Sequence, residues 1–487
     1  MTAVGELGQR RAVGRHRRPG RIAALGVPAV FWRLTAAMTI SRLGLLVIPF
    51  LAYYLARARH LDAGNVALVM MAFGAGWTAG QPCGGFLADR AGRRTVIIGG
   101  NLVAAAAYAS LGLARTVPMM AAGALAVGAT FDVWRPAAMA ILAESAGSDE
   151  RRRQGAMSML YLAMNAPEVA GILLAGALAV TAGWPWLFAG NAMACISFAA
   201  VALMLMPPCR PVPRQARRNT GAAVTDPLLL CFSALTLLCL TVYQQSAYAL
   251  PVRFAGDGIA PVSYALIAAM NPLTVTIVAR PAGRWLDRIP AGKFPPARCF
   301  AVGMALIGIG IPLTGMGSGL RWYAGTSVVW ILGEVAIMGS GPALVTGLAP
   351  RGREASYSGV WMSTFGLSAV TAAGVGAALI GHGGLRLLWA SCAMAGLAGA
   401  VGCLLLTKPV ARRSPGHLLA ETAEPETAPA DAAPARDALP PQAAAGAAVR
   451  GVPPDPIPAR HPRGGPSGCH DYNRPGFAAK GKEVHHD

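Results

Sequence analysis

The sequence predicts an all-α membrane protein, with twelve transmembrane helices in two pseudo-symmetric six-helix bundles and a disordered C-terminal tail. Three observations carry that expectation. Apolar residues make up 54% of the 487 residues and charged ones only 13%, whereas a soluble domain is nearer a quarter charged. About twelve apolar runs are long enough to cross a bilayer, whose core needs ~20 residues of helix. A short motif also recurs, as Gly85-Phe-Leu-Ala-Asp89-Arg90 and again as Gly283-Arg-Trp-Leu-Asp287-Arg288. The runs must be helices, because unpaired backbone cannot sit in lipid and barrel strands would be shorter and alternate in polarity.

A strongly basic segment, residues 1–30, comes first and reads as cytoplasmic. The apolar stretch behind it is too long for a signal-peptide core, so the first span is expected to stay as an anchor. The first bundle, 31–207, holds runs at about 31–56, 65–88, 95–115, 117–143, 155–182 and 184–207. A central cytoplasmic loop rich in Arg and Pro, 208–226, leads to the second bundle, 227–407. Its runs lie at about 227–250, 259–280, 298–318, 321–349, 356–380 and 384–407. From 408 to 487 the composition turns to Ala, Pro and charge without apolar periodicity, the mark of a disordered cytoplasmic tail.

The net charge of +20 is distributed as a membrane topology requires. With both termini cytoplasmic, the inner loops hold about seventeen Lys and Arg and the outer loops about six. No soluble domain exists to carry a basic nucleic-acid face, so nucleic acid is not an expected partner. The expected partners are the lipid bilayer, a small molecule and protons, with the chain a monomer in the plasma membrane. The nine cysteines lack disulfide or zinc spacing, and Cys469, His470, His485 and His486 fit no standard metal pattern. The outer loops are short and poor in catalytic groups, and no Gly-x4-Gly-Lys-Ser/Thr loop appears. Neither an enzyme nor ATP-driven chemistry is expected, and no metal or cofactor.

Two groups of residues point to a moving machine. The first is the loop Gly85, Asp89, Arg90, Gly92, Arg93 and Arg94, with its counterpart Gly283, Asp287 and Arg288. Gly76, Gly80 and Gly84 recur every four residues, one helix face on which backbones can approach closely, and Gly85 is expected to extend it. Asp89 is then placed to reach a helix N-terminus in the opposite half, forming a latch with the arginines. The simpler alternative is that these charges only fix orientation. The second group is the set of charges inside spans: Arg42, Asp132, Arg135, Glu168 and Glu334. Each costs ~2.5–3.5 kcal/mol at a span centre, so they are expected to face a cavity and pair. Asp132 and Arg135 stand three apart and can neutralise each other on a helix face; Glu168 either titrates or pairs with Arg42. Desolvation favours the neutral form of a carboxyl and a nearby Arg the charged form, so such a site can couple protonation to access; a static ion pair is the alternative. Tyr243, Gln244, Gln245, Tyr248, Asn271 and Trp330 are candidates for lining a substrate path.

With this loop and two halves, residues 31–407 resemble the major facilitator superfamily. Ser41-Arg42-Leu43-Gly44 with Pro49, Arg135-Pro136-Ala137, Asn165 and Gly333-Glu334 are similar to the drug:proton antiporter branch. The resemblance implies alternating access, a latch that holds the outward-open state, and a central cavity ringed by the first, fourth, seventh and tenth helices. It implies proton-coupled efflux of small amphipathic molecules or drugs. The branch carries a Gly-Pro pair in its fifth helix where this chain has Asn165-Ala-Pro167, so uptake or symport of a sugar, peptide or other metabolite stays open. A membrane sensor that has kept the fold is a more distant alternative.

Overall fold

The computed structural model describes residues 29–135, 137–138, 141–142, 150–205, 221–288, 296–350 and 353–413. Among them every regular element is a helix. In the first half these are α1 (Ala29–Leu43), α2 (Leu51–Arg57), α3 (Ala63–Ala91), α4 (Arg93–Leu113), α5 (Val117–Thr130), α6 (Glu150–Thr181) and α7 (Pro185–Leu205). The second half has α8 (Pro227–Tyr243), α9 (Ala249–Gly256), α10 (Pro261–Arg288), α11 (Pro296–Met316), α12 (Leu320–Leu348) and α13 (Glu354–Arg413).

Among the described residues, nine helical stretches are long and apolar enough to cross a membrane. One of them, Ser356–Thr407, has 52 residues. At 1.5 Å per residue that is roughly 78 Å of helix, more than twice the ~30 Å hydrocarbon core. It breaks at Gly383 and Gly384, the latter with φ 65°. The expectation of twelve spans is met in full by neither length nor composition. The clearest departure is the fourth run: instead of one helix over 117–143, α5 stops at Thr130 and residues 131–134 turn.

Local chemistry explains where the helices start. Asp62 caps α3, accepting from the backbone N–H of Gly64 and Asn65 at 3.0 and 3.2 Å. Asp226 caps α8 through Leu228 at 3.0 Å, and its other oxygen accepts from the Tyr357 hydroxyl at 2.6 Å, tying α8 to α13. Gly92, at φ 86°, joins α3 to α4 in a backbone conformation that a side chain would strain.

The glycine stripe packs α3 against its own half. A Cβ added to Gly76 would lie 2.1 Å from the Leu125 carbonyl oxygen, and one on Gly80 2.2 Å from that of Ala129. Gly85 has open space around it, so it does not extend the stripe as expected. Contact with the other half comes from the opposite face of α3, where Gly74 meets Val370 and Thr78 meets Gly366. Large apolar side chains such as Leu113, Met204, Ile277 and Leu405 point outward, as a helix bundle solvated by lipid requires.

Candidate functional site

Three spans leave the helical path part-way along. The first breaks between Leu43 and Leu51, the fourth at Phe131–Trp134, and the seventh at Gln244–Tyr248. Irregular backbone inside a membrane is tolerated only where protein buries it or it lines a cavity. All three breaks border one cavity of about 290 Å³. The break in the first span is stabilised from a distance, since the buried Asn191 Oδ1 accepts from the backbone N–H of both Leu46 and Val47 at 3.1 Å. Gly44 permits it, because a Cβ there would collide with the Ala194 side chain at 1.9 Å.

The break in the fourth span sets the position of Asp132. Its φ is 58°, left-handed and rare for a residue with a side chain, though least costly for Asp and Asn. Asp132 therefore does not sit with Arg135 on one face of a continuous helix, as the spacing predicts. The turn still brings them together, with Arg135 Nη2 2.8 Å from Asp132 Oδ2. On the other side Arg42 Nη2 lies 3.4 Å from Asp132 Oδ1, and Arg42 Nη1 lies 3.7 Å from Glu168 Oε2. Two guanidinium groups thus face two carboxylates in a charge-balanced chain, of which Arg42 and Glu168 line the cavity. Behind it a second space of about 30 Å³ is lined by Asn101, Tyr108, Asp132 and Asn191, room for one or two water molecules.

Glu334 makes no ion pair with this cluster, although Glu168 acts on it as a like charge. It stands behind the cavity-lining Asn271, its Oε2 accepting from Asn271 Nδ2 at 2.5 Å. Tyr243 is the other polar neighbour of that carboxylate. Among the described residues none forms an ion pair with Glu334. Tyr243, Gln244, Tyr248, Asn271 and Trp330 all line the cavity, and the Tyr243 and Trp330 rings meet edge-on at 5.8 Å. Gln245 instead turns away, its Nε2 donating to the Ala372 carbonyl at 2.9 Å. Phe73, Trp77, Phe131 and Tyr264 complete an aromatic lining that sequence reasoning missed. Asn191, a lone amide in an apolar run, was the visible signal for the first break.

In the loop motif, Arg90 lies over the Phe86 ring at 4.9 Å, and Arg94 Nη2 donates to the Leu203 carbonyl at 2.7 Å. Arg93 is half-buried. The backbones of Asp89, Gly283, Asp287 and Arg288 are helical, while the side chains of Asp89, Asp287 and Arg288 lie outside the described residues, as do Cys469, His470, His485 and His486. Among the described residues no group of three or more His, Cys, Asp or Glu converges as a metal site would.

Comparison with known proteins places these observations. The family model described as Major Facilitator Superfamily matches residues 34–330 and 236–442. Two uncharacterized MFS-type transporters of Mycobacterium tuberculosis are each 32% identical over 131 residues, 25% of this chain and 31% of theirs. The match thus spans about a third of the length of those curated relatives. Among solved structures, a peptide transporter POT in complex with sulfate superposes with TM-score 0.67 at 17% identity, over 80% of this chain and 96% of that one. The POT family transporter PepTSo gives TM-score 0.65 at 14% identity, over 80% and 99%. At such identities the likeness is one of fold.

Proposed function

The chain belongs to the Major Facilitator Superfamily, and from that premise we propose that this multi-pass membrane transporter exports small amphipathic molecules in exchange for protons. Its two six-helix halves, 31–207 and 227–407, alternate access to the cavity between them, with both termini in the cytoplasm and the chain acting as a monomer in the plasma membrane.

One observation carries the reading: the charges around the cavity are unevenly compensated, Arg42 and Glu168 lining it as part of a balanced cluster and Glu334 standing behind the lining residues Asn271 and Tyr243. The Arg42, Asp132, Arg135 and Glu168 cluster balances itself, two positive against two negative. Glu334 has the neutral Asn271 and Tyr243 as hydrogen-bonding neighbours, and the charge that acts on it from the cluster, Glu168, has the same sign. An uncompensated carboxylate inside a membrane protein is costly unless it takes a proton or a cationic group. Glu334 holds one or the other, and that mutual exclusion is the coupling. The rings of Trp330, Tyr243, Phe73 and Trp77 receive the apolar body of the substrate. In this mechanism Asp132 and its arginines order the broken fourth span and keep Glu168 from adding a second free charge.

A second reading is uptake or symport of a peptide or other metabolite. It is favoured by Asn165-Ala-Pro167 standing where a Gly-Pro pair would be, and by a peptide transporter POT among the proteins of the same fold. Purified protein in proteoliposomes, screened with a compound panel under an imposed pH gradient, distinguishes the two. Efflux coupling moves protons opposite to the compound and fails in Glu334→Gln. Compound and protons moving together would favour the second reading, and transport indifferent to the gradient would remove proton coupling altogether.

A further inference from the structure

At the end of the cavity where α3 begins, opposite the Gly92 turn that ends it, tyrosines join the two halves. Tyr53 of α2 stacks on Tyr264 of α10, with ring centroids 4.5 Å apart and planes inclined by 5°. The Tyr53 hydroxyl donates to the Ile259 carbonyl of the second half. The Tyr264 hydroxyl donates back to the Pro49 carbonyl of the first half at 2.6 Å. A third, Tyr248, donates across to the Ala63 carbonyl at 2.8 Å. Phe50 meets the Tyr264 ring edge-on at 4.9 Å, and Trp184 flanks Tyr53 at 6.0 Å. All three tyrosines are buried.

The contacts are reciprocal: each half supplies hydroxyl donors and each supplies carbonyl acceptors. Two of the acceptors stand at irregular backbone, Pro49 in the 3-10 turn of the first span and Ile259 in the connection between α9 and α10. Separating the halves at this end breaks the stack and all three hydrogen bonds together, so the cluster has two discrete arrangements rather than a graded one. Tyr248, Tyr264 and Pro49 also line the cavity. Whatever fills the cavity therefore touches the groups that seal it.

We infer that Tyr53, Tyr248 and Tyr264 form the gate at this end of the cavity, and that Tyr264 and Tyr248 are the positioning residues through which cavity occupancy biases its opening. The inference rests on the alternating-access reading. It assigns the gate opposite the Gly85–Arg94 loop to aromatic stacking and hydroxyl-to-carbonyl bonds, with no charged latch.

The test reads the gate apart from transport. A cysteine at the cavity-lining Ser327 (Ser327→Cys) is labelled with a membrane-impermeant maleimide, added from each side of sealed vesicles in turn and measured against the native cysteines. Tyr53→Phe or Tyr264→Phe keeps the rings and removes one hydroxyl bond, and should raise labelling from the tyrosine end about fivefold. Tyr53→Ala or Tyr264→Ala also removes the stack and should raise it about tenfold or more. The double Ala variant should label no faster than the quicker single, because either loss opens the same gate. Tyr53 does not line the cavity, so Tyr53→Phe should change the maximal transport rate and leave the half-saturating concentration alone. Unchanged labelling in the two Phe variants, or a changed half-saturating concentration at constant rate in Tyr53→Phe, overturns the gate. Raised labelling in a protein that moves no compound upholds the gate and removes the transport reading instead.

Discussion

Replacing Arg42 with methionine tests whether the buried charges act as one balanced unit. Arg42 is 7% exposed and Asp132 4%, so solvent screens neither. Asp132 faces one guanidinium at 3.4 Å and another at 2.8 Å. At an effective dielectric of ~20, a pair 3.4 Å apart gains about 5 kcal/mol of gross Coulomb attraction, most of it set against the cost of desolvation. Removing one partner abolishes the gain and leaves the cost, so Arg42→Met should lose about 3–5 kcal/mol of stability. Asp132→Asn leaves the two arginines facing only Glu168 and should lose a similar amount. The double variant should lose less than the sum by about 2 kcal/mol, because the second change restores the charge balance of the cluster, leaving Arg135 and Glu168. The backbone separates a further contribution. Asn tolerates the φ of 58° that Asp132 adopts, whereas Asp132→Ala should cost about 1–2 kcal/mol more than Asp132→Asn. Thermal unfolding in detergent, followed by a dye that reacts with thiols as Cys195, Cys239 and Cys403 become exposed, measures each step. Strict additivity of Arg42→Met and Asp132→Asn would refute the balanced unit, and an Ala variant equal to Asn would refute the backbone argument.

Other expectations concern packing and capping. Gly76→Ala places a methyl against the Leu125 carbonyl at 2.1 Å, so α3 and α5 must part; the expected loss is about 1–3 kcal/mol in the same unfolding assay. Gly85→Ala, in open space, should stay within about 0.5 kcal/mol of the parent, and equal behaviour of the two would contradict the stripe. Asp62→Ala should cost about 1 kcal/mol through loss of the α3 cap. Hydrogen bonds from the Asn65 side chain, and next its backbone N–H, hold the Asp62 carboxyl below its usual range. Because the folded state favours the ionised form, its contribution is present above about pH 3.9, the unfolded value, and is lost as pH falls through the lower folded value. The stability difference between parent and Asp62→Ala should therefore shrink in acid; a difference that grows there would show the sign to be wrong.

The helical class and most spans were legible because apolar length is a direct consequence of bilayer thickness, and Arg42, Asp132 and Arg135 stood out because charge in an apolar run is expensive. The breaks were legible only as hints. Asp132 and Arg135 look like one helical face when spacing alone is read, yet the chain turns at Phe131–Trp134. That turn depends on packing between spans, as the break near Leu46 depends on Asn191, far away in the chain. Gly44 and Pro49 were visible hints of the latter, and Gln244-Gln245 of the break in the seventh span. The partner of Glu334, Asn271, belongs to a different helix, so spacing within one helix does not reveal it. The uneven compensation of charge around the cavity, with Glu334 held behind Asn271, exists only once α10 and α12 are packed together.

That asymmetry is the central claim, and proton release on substrate binding tests it most directly. The detergent-solubilised protein, weakly buffered with a pH-indicating dye, is titrated with a transported compound. If Glu334 holds a proton or a cationic group but not both, binding should release about one proton per compound bound at a pH where Glu334 is protonated. Glu334→Gln should release none while Asp132→Asn still releases protons. Undiminished release from Glu334→Gln would contradict the account.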